Sequence, residues 1–280
     1  MAPSSSGIGE RLKSYVLGEL KTAERLLGRG GDGRQSGIHA ARKAIRRARA
    51  ALRLARKPFG KSAAAALDAI GDVGASLSAV RDAHVAVKSV AALRSCAGSK
   101  DERESLRRIG KVFAARRAAQ LSELVARDPA LAERRARLRE LCNTVDTLRW
   151  STLSARDVEV ALKRSVRHCG RIGERARVSR DGALRHRWRR RLRRLRYQLK
   201  AAAGALGRSP GALAKWSWPQ RKRKKVAVRP AALRELTDRL GVEHDLRMLL
   251  ASLKPAADLD SADRDAARRI VRRALAASST

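Results

Sequence analysis

The chain contains one basic stretch twice, at residues 39–49 and 186–196. In each copy, a histidine is followed by Lys or Arg at the third, fourth, seventh, eighth and tenth positions after it. The two histidines lie 147 residues apart, and the same offset pairs Arg53 with Lys200. A pattern that recurs at this distance in a chain of 280 residues predicts two halves that fold alike.

The basic residues of both copies have the spacing of an α-helix. Steps of three, four and seven residues return to one side of a helix, so the histidine and most of the cations share a face. The opposite face is apolar, with Ala41, Ala44, Ile45, Ala48, Ala51 and Leu52 in the first copy and Leu192, Leu195, Leu199 and Ala202 in the second. Because Ala and Leu prevail and aromatic residues make up only 3% of the chain, we expect an all-α protein with a thin core.

The cationic faces point to a polyanionic partner. Like charges three and four residues apart destabilise a helix, and a solvated face usually alternates acidic with basic residues. Neither face contains an acid, and the chain carries 65 Lys and Arg against 27 Asp and Glu, a net charge of +38. This balance indicates nucleic acid, an anionic membrane or polyphosphate as the partner. The alternative is a basic face that only water and salt neutralise.

Capping and breaking signals divide the remaining chain into helices. A helix at residues 8–28 precedes the first basic helix, which Ser36 should cap and Pro58 should end. The further predicted helices cover residues 62–97 with a break near Gly71 or Gly74, 101–127, 130–149, 155–177 with Ser154 as N-cap, 182–206, 230–254 and 258–277.

A long loop separates the second basic helix from the last two helices. It covers residues 207–230 and contains Trp216, Trp218 and five consecutive cations at residues 221–225. The cationic run is either a solvated loop or an arm that folds over a bound polyanion.

A second similarity extends the repeat beyond the basic helices. Residues 77–82 resemble residues 240–245 at an offset of 163, and the 16 additional residues fall in the loop just described. Two halves of about four helices each, related by a pseudo-twofold axis, would bring both basic faces to one shared groove. The aspartates that end these segments, Asp82 and Asp245, belong to no catalytic constellation, so we expect them to be structural and either to pair with arginines or to cap a helix.

Cysteine usage and hydropathy indicate a cytoplasmic location. Cys96, Cys142 and Cys169 fit no disulfide or zinc pattern and are typical of free thiols in a reducing compartment. Residues 1–9 lack the apolar region of a signal peptide, and no apolar run has the length of a membrane span. We therefore expect no membrane partner.

The doubled motif resembles the CHAD domain, the conserved histidine α-helical domain. The resemblance rests on His-x-x-Arg-Lys-x-x-Arg-Arg-x-Arg at residues 39–49, on the second copy ending in Leu195-Arg196-Tyr197, and on Arg81-Asp82. It covers residues 8–278 and implies one all-α domain of two pseudo-symmetric four-helix bundle halves. These halves would be about 8–150 and 151–278.

The resemblance also implies a function. Members of the family bind inorganic polyphosphate through a basic central surface, some occur with polyphosphate granules, and many are fused to a CYTH (triphosphate tunnel) domain. This chain has no Glu-x-Glu-x-Lys pattern of that second domain. The resemblance therefore implies a stand-alone polyphosphate-binding module that is not an enzyme and needs no cofactor.

The expected binding residues are the matched basic positions and one tyrosine. They are His39, Arg42, Lys43, Arg46, Arg47, Arg53, His186, Arg189, Arg190, Arg193, Arg194, Tyr197 and Lys200. Lys57 is added because the helical wheel places it on the face of the first histidine. Arg49 and Arg196 lie at the edge of the wheel, where they would face the core boundary or structural acids.

The same cations would also bind a nucleic-acid backbone without sequence preference. No helix-turn-helix or zinc-finger signature supports base readout, and only Trp216 and Trp218 could stack on bases. Nonspecific nucleic acid is therefore the alternative partner.

Catalytic and metal-binding alternatives rest on the two repeated histidines. The basic faces hold no carboxylates for Mg²⁺, so a phosphohistidine at His39 or His186 is the one enzymatic alternative. No carboxylate or cysteine accompanies these histidines at ligand spacing. The other histidines, His84, His168 and His244, are expected at the surface or the core edge. If His39 and His186 bind directly, affinity should rise as the pH falls through about 6.5.

Overall fold

The chain is helical along nearly all of its described length. The computed structural model describes residues 7–179, 181–213, 217–218, 226–227, 230–254 and 258–279. The helices in these ranges are α1 (Ile8–Leu27), α2 (Gly33–Leu52), α3 (Arg56–Ser76), α4 (Ser78–Leu93), α5 (Lys100–Arg127), α6 (Ala132–Asp146), α7 (Ala155–Val178), α8 (Gly182–Leu206), α9 (Pro210–Leu213), α10 (Pro230–Ser252) and α11 (Ser261–Ser279). Two short strands, β1 (Ser217–Trp218) and β2 (Val226–Ala227), form an antiparallel pair. The predicted all-α class is confirmed.

The helices form two compact units, each built from two separate segments. Unit 1 contains the residues up to Ser76 together with Ala130–Thr237, and unit 2 contains Leu77–Pro129 together with the residues from Asp238 onward. These units do not coincide with the sequence halves 8–150 and 151–278, because each unit takes helices from both halves. The pseudo-symmetry of the halves stays a prediction.

Short side chains form much of the core of unit 1. Helix α1 packs against α2 and α6, while α8 packs against both α2 and α7. Ala41, Ala44 and Ala48 of α2 are fully buried, on the face that the periodicity predicts. Helices α1 and α2 approach so closely that a Cβ atom at Gly37 would lie 2.4 Å from the backbone oxygen of Leu26.

The second basic helix, α8, has the bounds that the sequence predicts. The Asp181 side chain accepts a hydrogen bond from the backbone N–H of Ala183 at 2.7 Å, and Gly207 ends the helix with a positive φ of 62°. The preceding helix, α7, begins with a capping box between Ser154 and Asp157. Ser154 is therefore the N-cap, as predicted.

The first basic helix, α2, differs from its prediction at both ends. It begins early enough that Ser36 lies inside it and donates its hydroxyl to the carbonyl of Gly33 at 2.9 Å instead of capping the helix. It ends at Leu52, and Pro58 lies in the first turn of α3, where the missing N–H of proline leaves no hydrogen bond unmade. Lys57 therefore belongs to α3, and the wheel that placed it on the first basic helix is wrong.

The predicted helix at residues 62–97 is two helices. The break lies at Leu77, and both Gly71 and Gly74 are inside α3. The outer ends of this prediction are also displaced, since α3 begins at Arg56 and α4 ends at Leu93. The ends of the other predicted helices, apart from the first basic helix, lie within three residues of the observed ones. In the described ranges, no single helix has the length and composition to cross a membrane. The bent pair formed by α3 and Ser78–Cys96 reaches that length and composition only when both parts are counted together.

Unit 2 contains α4, α5, α11 and most of α10 around one apolar core. Leu106 and Phe113 of α5 are buried in the same cluster as Leu249 of α10 and Ile270 of α11. These long aliphatic and aromatic side chains contrast with the alanines of α2. Their burial supplies the larger hydrophobic free energy per residue.

Ion pairs add specific contacts within unit 2. Arg81 lies 2.7 Å from the carboxylate of Asp82 and 3.6 Å from that of Asp245, so both repeat-related aspartates pair with an arginine, as predicted. Arg108 of α5 donates two hydrogen bonds, of 2.7 and 2.6 Å, to the buried carboxylate of Asp263 on α11.

We expect Asp263→Asn to lower the free energy of unfolding by about 1–3 kcal/mol, because it removes charged hydrogen bonds at a buried position. The hydrogen bond from Arg108 holds the pKa of Asp263 below its ordinary value of 3.8. The stabilisation is therefore present above about pH 4 and is lost as the pH falls through the folded-state pKa. Urea denaturation followed by circular dichroism at pH 7 and pH 3 measures both effects.

Asp258→Asn is the matched control. Asp258 pairs with Arg116 of α5, but its side chain is 49% exposed, so its loss should cost less than about 1 kcal/mol. Equal losses in the two variants would contradict the assignment of the stabilisation to burial.

Candidate anion-binding site

A narrow cleft lies where α2 packs against α8. Its volume is about 100 Å³, and six arginines and one tyrosine surround it. The residues that line it are Arg46, Arg49, Ala50, Arg53, Arg190, Arg193, Arg194 and Tyr197. We call this site the basic cleft. None of its described lining residues is acidic, and it brings together predicted site residues from both copies of the motif.

A larger open pocket adjoins the basic cleft. Its volume is about 710 Å³, and it lies between α7, α8 and the first turns of α3. The residues that line it are Arg53, Arg56, Lys57, Gly60, Lys61, Ala64, Ala161, Arg164, Ser165, His168, Arg171, Arg191, Arg194 and Gln198. We call it the side pocket. It shares Arg53 and Arg194 with the basic cleft, and its described lining holds eight Lys and Arg and no acid.

The pKa of Arg194 is strongly lowered by its surroundings. Burial, followed by the charges of Arg53, Arg191, Arg49 and Arg190, lowers its pKa to about 9. A guanidinium normally stays charged far above this pH. Its charged form is therefore disfavoured at this position, and an anion bound near it would raise the pKa again.

Arg53 is perturbed for the same reasons. Burial lowers its pKa first, and then Arg49, Arg56 and Arg191 do so, while Asp68 acts weakly in the opposite direction. Because Arg53 follows the last residue of α2, it faces both the basic cleft and the side pocket.

His168 adds a titrating group to the side pocket. Burial lowers its pKa below the ordinary 6.5, and Arg191, Arg171 and Arg194 lower it further. The imidazole is therefore neutral at pH 7 in the free protein. As predicted, His168 lies at the edge of the core, but its place in a cationic pocket was not foreseen.

Arg47 lies outside both cavities. It donates a hydrogen bond of 2.6 Å to Glu19 of α1, whose side chain is 15% exposed. This hydrogen bond raises the pKa of Arg47. Burial and the Glu19 carboxylate also raise the pKa of Tyr15, beside them, to about 12. Since Glu19 already neutralises Arg47, we remove this residue from the predicted binding set.

Two other arginines of α2 contact α3. Arg42 donates a hydrogen bond to the carbonyl of Gly74. Arg49 lies 3.6 Å from Asp68, and a Cβ atom at Gly71 would lie 2.6 Å from its guanidinium carbon. The prediction that Arg49 meets a structural acid is confirmed, yet the same side chain lines the basic cleft.

The remaining predicted residues line neither cavity. Among them, Arg189 is buried, with 8% of its surface exposed. His39 and His186 are half-buried, and Lys43 and Lys200 are exposed. Their predicted role in binding stays a prediction. Of the basic loop, Trp216 and residues 221–225 lie outside the described residues.

The repeated basic motif does not predict that residues of α7 line the side pocket. Arg164, His168 and Arg171 follow one another at steps of four and three residues, which place them on one face of a helix. That spacing was the available signal. The first copy of the repeat does not contain this set of three residues, so the repeat itself does not indicate them.

We expect the pKa of His168 in the free protein to lie below 6.5 and to rise if phosphate groups, supplied as inorganic polyphosphate, occupy the side pocket. The bound phosphates would offset the field of Arg171, Arg191 and Arg194, which disfavours the imidazolium ion. Saturation should therefore be accompanied by proton uptake near pH 6. NMR titration of the histidine ring protons, assigned with His168→Gln, measures both values. A free-protein pKa at or above 6.5 would contradict the geometry.

Comparison with known proteins identifies relatives of this fold. The family model of the CHAD domain matches residues 15–217. The crystal structure of the CHAD domain from the plant Ricinus communis is similar over 98% of this chain and 91% of its own, at 21% identity and a TM-score of 0.59. PptA from Streptomyces chartreusis is similar over 98% of this chain and 99% of its own, at 14% identity and a TM-score of 0.59. No curated protein matches the sequence.

Proposed function

The chain belongs to the CHAD domain family, and on this basis we propose that it binds inorganic polyphosphate through the basic cleft. The binding residues are those predicted positions that the cleft brings together, with Arg49 added. They are Arg46, Arg49, Arg53, Arg190, Arg193, Arg194 and Tyr197.

The observation that carries the proposal is the environment of Arg194. Four arginines surround it, and burial together with their charges lowers its pKa to about 9. A fold keeps such a cluster together at a cost in free energy, which a bound polyanion offsets. No described acid lines the cleft to do so instead.

The spacing of the arginines suits a linear chain of phosphates. Arg46, Arg49 and Arg53 of the first copy follow one another at about one helical turn, or roughly 5 Å along the axis. Arg193 and Arg194 line the same cleft from α8. Guanidinium groups bind phosphate oxygens in a planar and often bidentate manner, so both helices offer successive phosphates a partner.

Polyphosphate suits the cleft better than nucleic acid does. A single-strand binder stacks bases on aromatic side chains, whereas Tyr197 is the one aromatic residue among the described residues of the cleft. The backbone phosphates of DNA and RNA still attract the same cations. Nonspecific nucleic-acid binding is therefore the competing outcome of the test.

The proposal describes a binding protein and not an enzyme. Phosphoryl transfer uses Mg²⁺ held by convergent carboxylates, and the described lining of the basic cleft and of the side pocket offers none. The proposed function therefore needs no cofactor. A cytoplasmic location, which the cysteine usage indicates, and an association with polyphosphate granules, which the family resemblance implies, belong to the same proposal.

We expect the triple variant Arg46→Gln, Arg190→Gln, Arg193→Gln to bind long-chain polyphosphate about tenfold or more weakly than the wild type. Competition titrations against single-stranded DNA, duplex DNA and RNA at near-physiological salt measure the preference. The wild type should prefer polyphosphate by about tenfold or more, and the variant should lose that preference.

A charge-matched control separates the cleft from the net charge. Lys88, Arg103 and Lys111 are exposed residues of α4 and α5 in unit 2. Their replacement by Gln lowers the net charge from +38 by the same three units. If this control loses as much polyphosphate affinity as the cleft variant, or if all polyanions bind the wild type equally, binding results from a diffuse field.

A further inference from the structure

The two copies of the basic motif differ at one pair of corresponding arginines, of which only the one in the first copy has an ion-pair partner among the described residues. Arg47 of the first copy and Arg194 of the second are 147 residues apart and correspond in the repeat. Arg47 is paired with Glu19 at 2.6 Å. Arg194, in contrast, lies among arginines in a site whose described lining contains no acid. The second copy thus has the cation of the first without a carboxylate among the described residues that line its site.

The burial pattern identifies the residue that replaces Glu19. The buried positions Leu12, Val16 and Leu20 of α1 match Val158, Leu162 and Val166 of α7 at a constant offset of 146. At that offset, the counterpart of Glu19 is Ser165. Ser165 and Arg194 both line the side pocket. The absent carboxylate is therefore replaced by a hydroxyl group at a cavity of about 710 Å³.

Two buried nitrogen atoms of residues that line this pocket have no hydrogen-bond partner among the described residues. In the described part of the chain, Nε2 of His168 and Nε of Arg53 are buried and have no hydrogen-bond partner. Unpaired buried donors are uncommon in folded proteins and often mark the place of a ligand or an ordered water. Both atoms belong to residues that line the pocket, and both can donate to an anion.

We propose that the side pocket binds the terminal phosphates of an oligophosphate, while the basic cleft binds the interior of the chain. This inference rests on the proposed function. A terminal phosphate has a second ionisable oxygen with a pKa near 6, so it carries up to two charges where an interior phosphate carries one. The pocket gathers cations from three helices around one open cavity, which suits a short anion with a high charge.

Four ligands distinguish the sources of such a group. Free tripolyphosphate and ATP both present a terminal oligophosphate. Long-chain polyphosphate presents one at each end, and the same long chain with its ends converted to phosphoramidates presents none of the doubly charged kind. Calorimetric titration of the wild type with each ligand gives the reference affinities and separates a nucleotide tail from a free oligophosphate.

We expect Ser165→Glu to weaken tripolyphosphate binding by about tenfold or more, because the new carboxylate reproduces the ion pair of the first copy beside Arg194. Arg164→Gln combined with Arg171→Gln should weaken it similarly. The Arg164 and Arg171 double variant, which changes no residue of the basic cleft, should not change the affinity for end-capped long chains by more than about threefold. Ser165→Gln is the uncharged control of similar size, and thermal unfolding verifies that each variant is folded.

The outcomes separate the two proposals. If end-capped chains do not bind the wild type, the proposed function fails. If they bind, but tripolyphosphate affinity falls in the cleft variant and not in Ser165→Glu, the end-group assignment to the side pocket is wrong while the proposed function stands. Equal losses in Ser165→Glu and Ser165→Gln would also overturn the assignment, since they would reflect size and not charge.

Discussion

The basic cleft of unit 1 depends on the contact between α2 and α8, which places two cationic helices side by side. Burial and then the charges of neighbouring arginines lower the pKa of Arg194. Repulsion among the six arginines of the basic cleft acts against this contact. The apolar faces offset it. Leu52 and Leu192 are fully buried, and each such side chain contributes about 1.5–3 kcal/mol, more than one like-charge pair costs on a helix.

The two copies of the repeat form similar helices, α2 and α8. The acidic residues near them differ, so the corresponding arginines have different surroundings. Glu19 ties the first copy to α1 through Arg47, while the position that corresponds to Glu19 in the second copy is a serine beside a cavity. Where the carboxylate of Glu19 is present, the arginine makes a structural ion pair. Where a serine replaces it, the arginine lines a candidate binding surface.

Local and nonlocal effects explain what the sequence predicted. The bounds of α8 follow from Asp181 and Gly207, which act on neighbouring residues, and the apolar face of α2 follows from helical periodicity. The end of α2 was misplaced because proline is tolerated in a first turn as well as after a last one. The pairing of Arg47 with Glu19 joins residues 28 positions apart, and the wall of α7 depends on tertiary packing, so neither could be derived from a helical wheel.

The division of unit 2 between two distant segments has a consequence for the order of folding. Phe113 and Leu249 share one core although 136 residues separate them. During synthesis, the apolar faces of α4 and α5 leave the ribosome long before α10 and α11 exist to cover them. Contacts at such separations form slowly, and the uncovered faces are prone to aggregate in the interval. Because α11 is synthesised after every helix of unit 1, the core of unit 2 is completed last, and we expect chaperones to protect its uncovered faces in the interval.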